Sequence, residues 1–221
     1  MNTEESSFFD TMVITHGARK LIEHKAPAIL ERVHAFYEEN TEEVEDGLYW
    51  APIPGVGYQP IVSLAIIRDY YGLPLYDSCA YQEGRDSIDV TCRLAIGSHL
   101  SHDYDGAEWF QRVAGEANTW YIRRRCLSVD ARIWLDFVLA NVIPSRQSSN
   151  IPDYIAFLIY CLSIGERVSL ESLILESITA AVKAQSQDMV FPHLISDRYR
   201  ILGAPELRYP HRSYPKAFEL E

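Results

Sequence analysis

Residues 132–145 read RIWLDFVLANVIPS, residues 151–165 IPDYIAFLIYCLSIG, residues 168–185 VSLESLILESITAAVKAQ, and residues 189–203 MVFPHLISDRYRILG. In the first stretch Ile133, Trp134, Phe137, Val138 and Val142 recur with a period near 3.6, which predicts a helix. Ser128 can cap its start, and Pro144-Ser145 ends it. The second stretch predicts a helix over Asp153–Ser163, apolar almost all round and therefore buried, with Pro152 at its entry and Gly165 as its left-handed terminator. Ser169 opens a longer helix with Leu170, Leu173, Ile174, Ile178 and Ala181 on one side. Pro192 opens a last one, which Gly203 closes. Trp134 and Phe137 are expected in the core, on the side of Ile133 and Val138.

Working outward, Leu21, Ile22, Ile29, Leu30, Val33, Phe36 and Tyr37 predict helix over 19–40, broken at Pro27, which lacks a backbone donor and restricts Ala26. TEEVEDG (41–47) reads as an acidic turn, and LYWAPIPGVGYQP predicts two short extended segments, 48–51 and 55–58. A helix is expected over 61–71, stopped by Gly72-Leu73-Pro74. Residues 87–96 fit a helix or an alternating strand, 97–109 read as a loop, and Trp120-Tyr121-Ile122 suggest a short strand. The fold expected is mainly α, a compact helical domain with a small β element in the N-terminal half. Its organisation is a flexible 1–18, a single domain over 19–203 (subregion 19–127, helical core 128–203), and an extended tail over 204–221.

The 221 residues are 48% hydrophobic and 12% aromatic, enough to bury a substantial core. Thirty-one acids against 20 Lys and Arg give a net charge of −11, which disfavours a nucleic-acid platform over the whole surface but leaves room for a local basic face. Cys79, Cys92, Cys126 and Cys161 form no C-x-x-C pair, as expected of reduced thiols in a cytoplasmic or nuclear protein. The acidic start MNTEESSFFD is unlike a secretory leader, and no stretch reaches the roughly 18 apolar residues of a membrane span, so no membrane partner is expected.

Three residue groups could carry chemistry. Arg123-Arg124-Arg125, beside Tyr121, could meet phosphates while the aromatic stacks on a base; Arg198, Arg200, Arg208 and Arg212 could extend that surface. His99, His102, Asp103 and Asp105 combine imidazole with carboxylate in the order a metal-dependent phosphohydrolase would need, but Gly97 and Gly106 bracket them as in a surface loop. The tail carries Tyr209-Pro210, Arg212 and Tyr214-Pro215, an extended arm that could dock on another chain. CLSIG around Ser163 lacks the first glycine of G-x-S-x-G, and neither G-x-G-x-x-G nor G-x-x-x-x-G-K-S/T occurs. No cofactor is expected.

The order of motifs resembles a plant transposon protein domain, found in reading frames of gypsy-type and Athila-like retroelements and in host genes derived from them. Its "AR-x-W-x-x-F" helix falls on Ala131, Arg132, Trp134 and Phe137, and its "P-T/S" turn on Pro144 and Ser145. Its "LLY-x-I" helix falls on Leu158–Tyr160 with Gly165, and its "FP-x-LI" segment on Phe191, Pro192, Leu194 and Ile195. Upstream, Val33, Phe36 and Tyr37 match "V-x-x-FY", and Gly72–Pro74 match "GLP", so the resemblance spans roughly residues 30–205. SDRYRILGAPEL stands where members often carry "LC-x-x-AGV". The resemblance implies a plant retroelement origin and brings no catalytic residues with it. A non-enzymatic interaction module is therefore expected, working on another protein or by self-association. The alternatives are nucleic-acid binding through Arg123–Arg125 and metal-dependent phosphohydrolysis at His99, His102 and Asp103.

Overall fold

The computed structural model describes residues 13, 15–23, 25, 27–38, 41–45, 47–102, 108–114, 117–145, 149–184 and 189–204. In chain order these form α1 (Arg19–Ile22), α2 (Leu30–Glu38), β1 (Glu42–Glu45), β2 (Leu48–Ile53), β3 (Gly57–Val62) and α3 (Leu64–Tyr71). Then come α4 (Ala80–Gly84), α5 (Val90–Leu100), β4 (Trp109–Ala114), β5 (Ala117–Arg123) and α6 (Val129–Asn141). β6 (Asn150–Pro152), α7 (Asp153–Ser163), α8 (Leu170–Lys183) and α9 (Pro192–Ile201) complete the order. The fold is mainly α with two small antiparallel sheets, β1-β2-β3 and β4-β5-β6. Helix is broken where proline and glycine demanded it: Pro27 falls between α1 and α2, and Gly72 (φ 68°) ends α3.

The chain divides into two compact units, one of residues 1–19 with 74–169, the other of 20–73 with 170–221. Within residues 128–203, α6 and α7 belong to the first unit and α8 and α9 to the second. Periodicity identifies an apolar face but not the element that covers it. Here α7 is covered by α4, α5 and β5 as well as by α6 and β6, and α8 and α9 by α2, α3 and β3.

In the first unit α7 is the hub. Ile155, Ala156, Leu158, Ile159, Cys161 and Leu162 are buried, and α4, α5, α6, β5 and β6 all pack on the helix. Each of the Ile and Leu side chains removed from water contributes about 1.5–3 kcal/mol. α7 ends as predicted: Gly165 takes φ 79°, and the Glu166 N–H donates to the Cys161 carbonyl at 2.9 Å. Buried His16 sends Nε2 to the Leu162 carbonyl (3.1 Å) and sets its ring edgewise to Trp134 at 6.2 Å.

Ser128 caps α6, its hydroxyl accepting from the Ala131 N–H at 3.2 Å, and Trp134, Leu135, Phe137 and Val138 are buried. Ile133 is not; it is 36% exposed. At about 100° per residue it falls just past the Phe137 edge of the buried stripe, so the expectation for Ile133 fails where that for Trp134 holds. α5 starts later than expected, because residues 85–87 form a 3-10 turn and Asp89 caps the helix by accepting from the Cys92 N–H at 2.7 Å. The single short strand expected at 120–122 is the middle of β5, which pairs with both β4 and β6.

In the second unit, residues 42–45 of the expected acidic turn are the edge strand β1. β3 runs on to Val62, so Ile61 and Val62 belong to the sheet and Ser63 caps α3, accepting from the Ile66 N–H at 3.3 Å. α8 packs on α3, and the Tyr49 hydroxyl of β2 bonds the Thr179 hydroxyl of α8 at 3.0 Å. α9 packs on α2 and β3, and the Ser196 hydroxyl accepts from the Ile29 N–H at 2.9 Å. Phe191, before Pro192, sits in the left-handed region at φ 49°, a conformation a bulky residue takes only at a cost of about 1–3 kcal/mol. No described helix is long and apolar enough to cross a membrane.

Candidate functional site

The β4–β5 hairpin sorts its residues by alternation. Phe110 lies opposite Tyr121 and Trp109 opposite Ile122. Ile122 is fully buried, so Tyr121 and Arg123 face the other way. On that outer face Phe110 and Tyr121 stack, with centroids 5.9 Å apart and planes inclined by 25°; both are part-exposed. The Arg123 guanidinium lies 5.4 Å from the Phe110 centroid, within cation–π range.

Beyond Arg123 the chain turns through a 3-10 turn, Arg124–Cys126, before entering α6. The turn is held at both ends: the Arg124 N–H donates to the Ser149 carbonyl at 3.0 Å and the Ser128 N–H to the Leu100 carbonyl at 2.8 Å. Arg124 Nη2 meets Asp136 Oδ2 at 2.7 Å in a pair about one-third exposed. Such a pair contributes no more than about 1 kcal/mol. From the first turns of α6, Arg132 donates Nη2 to the Arg125 carbonyl at 3.1 Å. Its Nε is buried without a hydrogen-bond partner. Arg125 is exposed.

Together Arg123, Arg124, Arg125 and Arg132, with Ser149 and Asn150, line an open hollow of about 520 Å³. Each guanidinium offers planar N–H donors that match a phosphate or carboxylate edge. Among the described lining residues the charged groups are all cationic, a chemistry suited to holding an anion. The sequence pattern located the Arg123–Arg125 run and Tyr121. It gave no sign of Arg132, Phe110 or Asn150, which arrive from another helix and two other strands.

The other face of the hairpin is committed to structure. Arg93 stacks over Trp120 at 4.8 Å and pairs with Asp153 at 3.4 Å, while the Trp109 indole N–H donates to the Arg93 carbonyl at 2.9 Å.

The histidine cluster does not come together around one point. His99 lies near the end of α5, with Nε2 2.9 Å from the Ser163 hydroxyl and its ring edgewise to Tyr160 at 5.1 Å. His102 donates Nδ1 to the Cys126 carbonyl at 3.0 Å. Asp103 and Asp105 lie outside the described residues, and among the described residues no three His, Cys, Asp or Glu are grouped as metal ligands. Sequence reasoning did not foresee the contact between His99 and Ser163. The Ser163 hydroxyl that His99 meets also donates to the Tyr160 carbonyl at 2.8 Å. Both residues also end helices, where the dipole opposes a developing oxyanion. Tyr209, Pro210, Arg212 and Tyr214 lie outside the described residues, as does Arg208. Arg198 and Arg200 lie on α9, in the other unit.

No curated protein and no solved structure gives a match to this chain. One protein family does, over residues 14–205, an interval that contains every helix and strand described above. The chain belongs to the family described as "Putative plant retrotransposon-related domain".

Proposed function

We propose that this domain is a non-enzymatic interaction module of plant retroelement origin whose contact face is the arginine-lined hollow, and that its partner presents an anionic segment. The observation that carries the reading is the gathering of four arginines around one hollow of a chain with net charge −11. Among the described residues, only Arg124 of the four has an acidic partner, Asp136. Concentrating like charge at one place works against stability and serves recognition. The test is equilibrium binding of labelled polyanions to the intact protein, compared with Arg125→Glu. Binding that weakens at least tenfold in the variant and falls with added salt supports the reading; indifference of both would overturn it.

A second reading, a contact with another protein or a second copy, is favoured by α5. Val90 and Leu94 stand one turn apart on its surface, 64% and 66% exposed. Size-exclusion chromatography with light scattering tests self-association, and Leu94→Glu should return any dimer to monomer.

A further inference from the structure

Resting on the arginine hollow as an anion-binding face, we infer that its partner is a single-stranded nucleic acid, whose phosphates enter the hollow while a base stacks at the Phe110–Tyr121 pair. The argument comes from what adjoins the hollow. Arg123 both lines it and lies over the Phe110 ring, so the cationic surface runs without a break into an aromatic one. Phe110 and Tyr121 occupy the outer face of a three-stranded sheet, side by side across the ladder and part-exposed. Aromatic rings on an open sheet face, flanked by arginine, accept unpaired bases of any sequence. An acidic peptide would use the guanidinium groups and leave the rings idle. A duplex keeps its bases inside the stack and would leave them idle too. The Ser149 and Asn150 side chains at the hollow's edge add neutral polar partners for phosphate or sugar oxygens.

The charge count sets the expected salt response. Arg124 is paired with Asp136, which leaves Arg123, Arg125 and Arg132 to neutralise phosphates. Three contacts to a single strand give a slope of about −2 in log K against log salt.

The experiment uses the whole chain and three fluorescent probes of matched charge: an oligothymidylate, a duplex of half its length, and an oligoglutamate peptide. The single strand is expected to bind tightest, with the slope given above. Tyr121→Ala should weaken it roughly 5- to 100-fold and leave the oligoglutamate unchanged. An oligonucleotide carrying 2-aminopurine, bound to the wild-type protein, reads stacking through its quenching without any variant, so a poorly folded Tyr121→Ala protein leaves the test intact. Equal binding of peptide and strand, with no change in 2-aminopurine emission, overturns this inference while Arg125→Glu still reports an anion-binding face. Failure of all three probes to bind overturns both.

Discussion

Gly47 shows how much one position can require. Its φ is 73°, and a β-carbon built there would lie 2.5 Å from Leu175 Cδ2 of α8. Gly47→Ala therefore meets backbone strain and a packed side chain together, and should lower stability by about 2–4 kcal/mol in urea unfolding. Gly55, with a similar φ of 79° and open space around it, isolates the strain, so Gly55→Ala should cost about 1 kcal/mol. His16 sets a pH dependence instead. Burial lowers the pKa of its imidazole, and the hydrogen bond to Leu162 offsets this only in part. The unfolded chain titrates near 6.5, so just below that pH it binds a proton the folded protein refuses. Stability thus rises with pH through that window and is lost as pH falls through it. His16→Gln, which can keep a donor to the Leu162 carbonyl, should flatten the melting temperature against pH below about 6.5. Equal acid sensitivity in both proteins would mean that other groups carry it.

At the scale of the element, what could be foreseen from sequence depended on whether the signal was local. α6, α7 and α9 begin and end with residues that act on their own backbone: the Ser128 hydroxyl, Gly165 at φ 79°, and Pro192 in the first turn. Their bounds were legible to within a residue or two. β5 was not, because its ladder joins residues 150–152, nearly thirty positions on, and no Asn-Gly or Asp-Gly marks the β4–β5 turn. The same limit hid most of the site, since a run of three arginines is written in one place whereas Arg132 and Phe110 join it only through pairing and packing. Ile133 failed for a subtler reason, as a residue one step off the buried stripe still fits a list of apolar spacings. Side-by-side variants measure that step. Trp134→Ala should cost about 3–5 kcal/mol, and Ile133→Ala less than about 0.5 kcal/mol, by urea midpoint. Comparable losses would place Ile133 in the core after all.

Across the whole molecule, the interleaving of the two units decides what can fold by itself. α7 finds cover in α4, α5 and β5, from residues 80–123, as well as in α6 and β6, and α8 and α9 find theirs in α2, α3 and β3, from residues 30–71. A fragment of residues 128–203 would retain four helices with strong intrinsic signals and the α6–α7 contact, and lose the N-terminal partners of α7, α8 and α9. Leu158, Ile159, Leu173, Ile174, Leu194 and Ile195, at most 2% exposed in the intact chain, would depend on substitute contacts. At about 1.5–3 kcal/mol for each side chain, losing half of that burial removes about 4.5–9 kcal/mol, comparable with the roughly 5–15 kcal/mol by which domains are stable. The fragment is therefore expected to collapse without fixed packing. It should keep helical far-UV circular dichroism, lose the near-UV signal of Trp134, bind a hydrophobic dye, and melt without a cooperative transition. The intact chain should melt cooperatively under the same conditions. A sharp transition and a dispersed amide spectrum from residues 128–203 alone would show that the helices cover one another without the N-terminal half, and that the interleaved division does not govern folding.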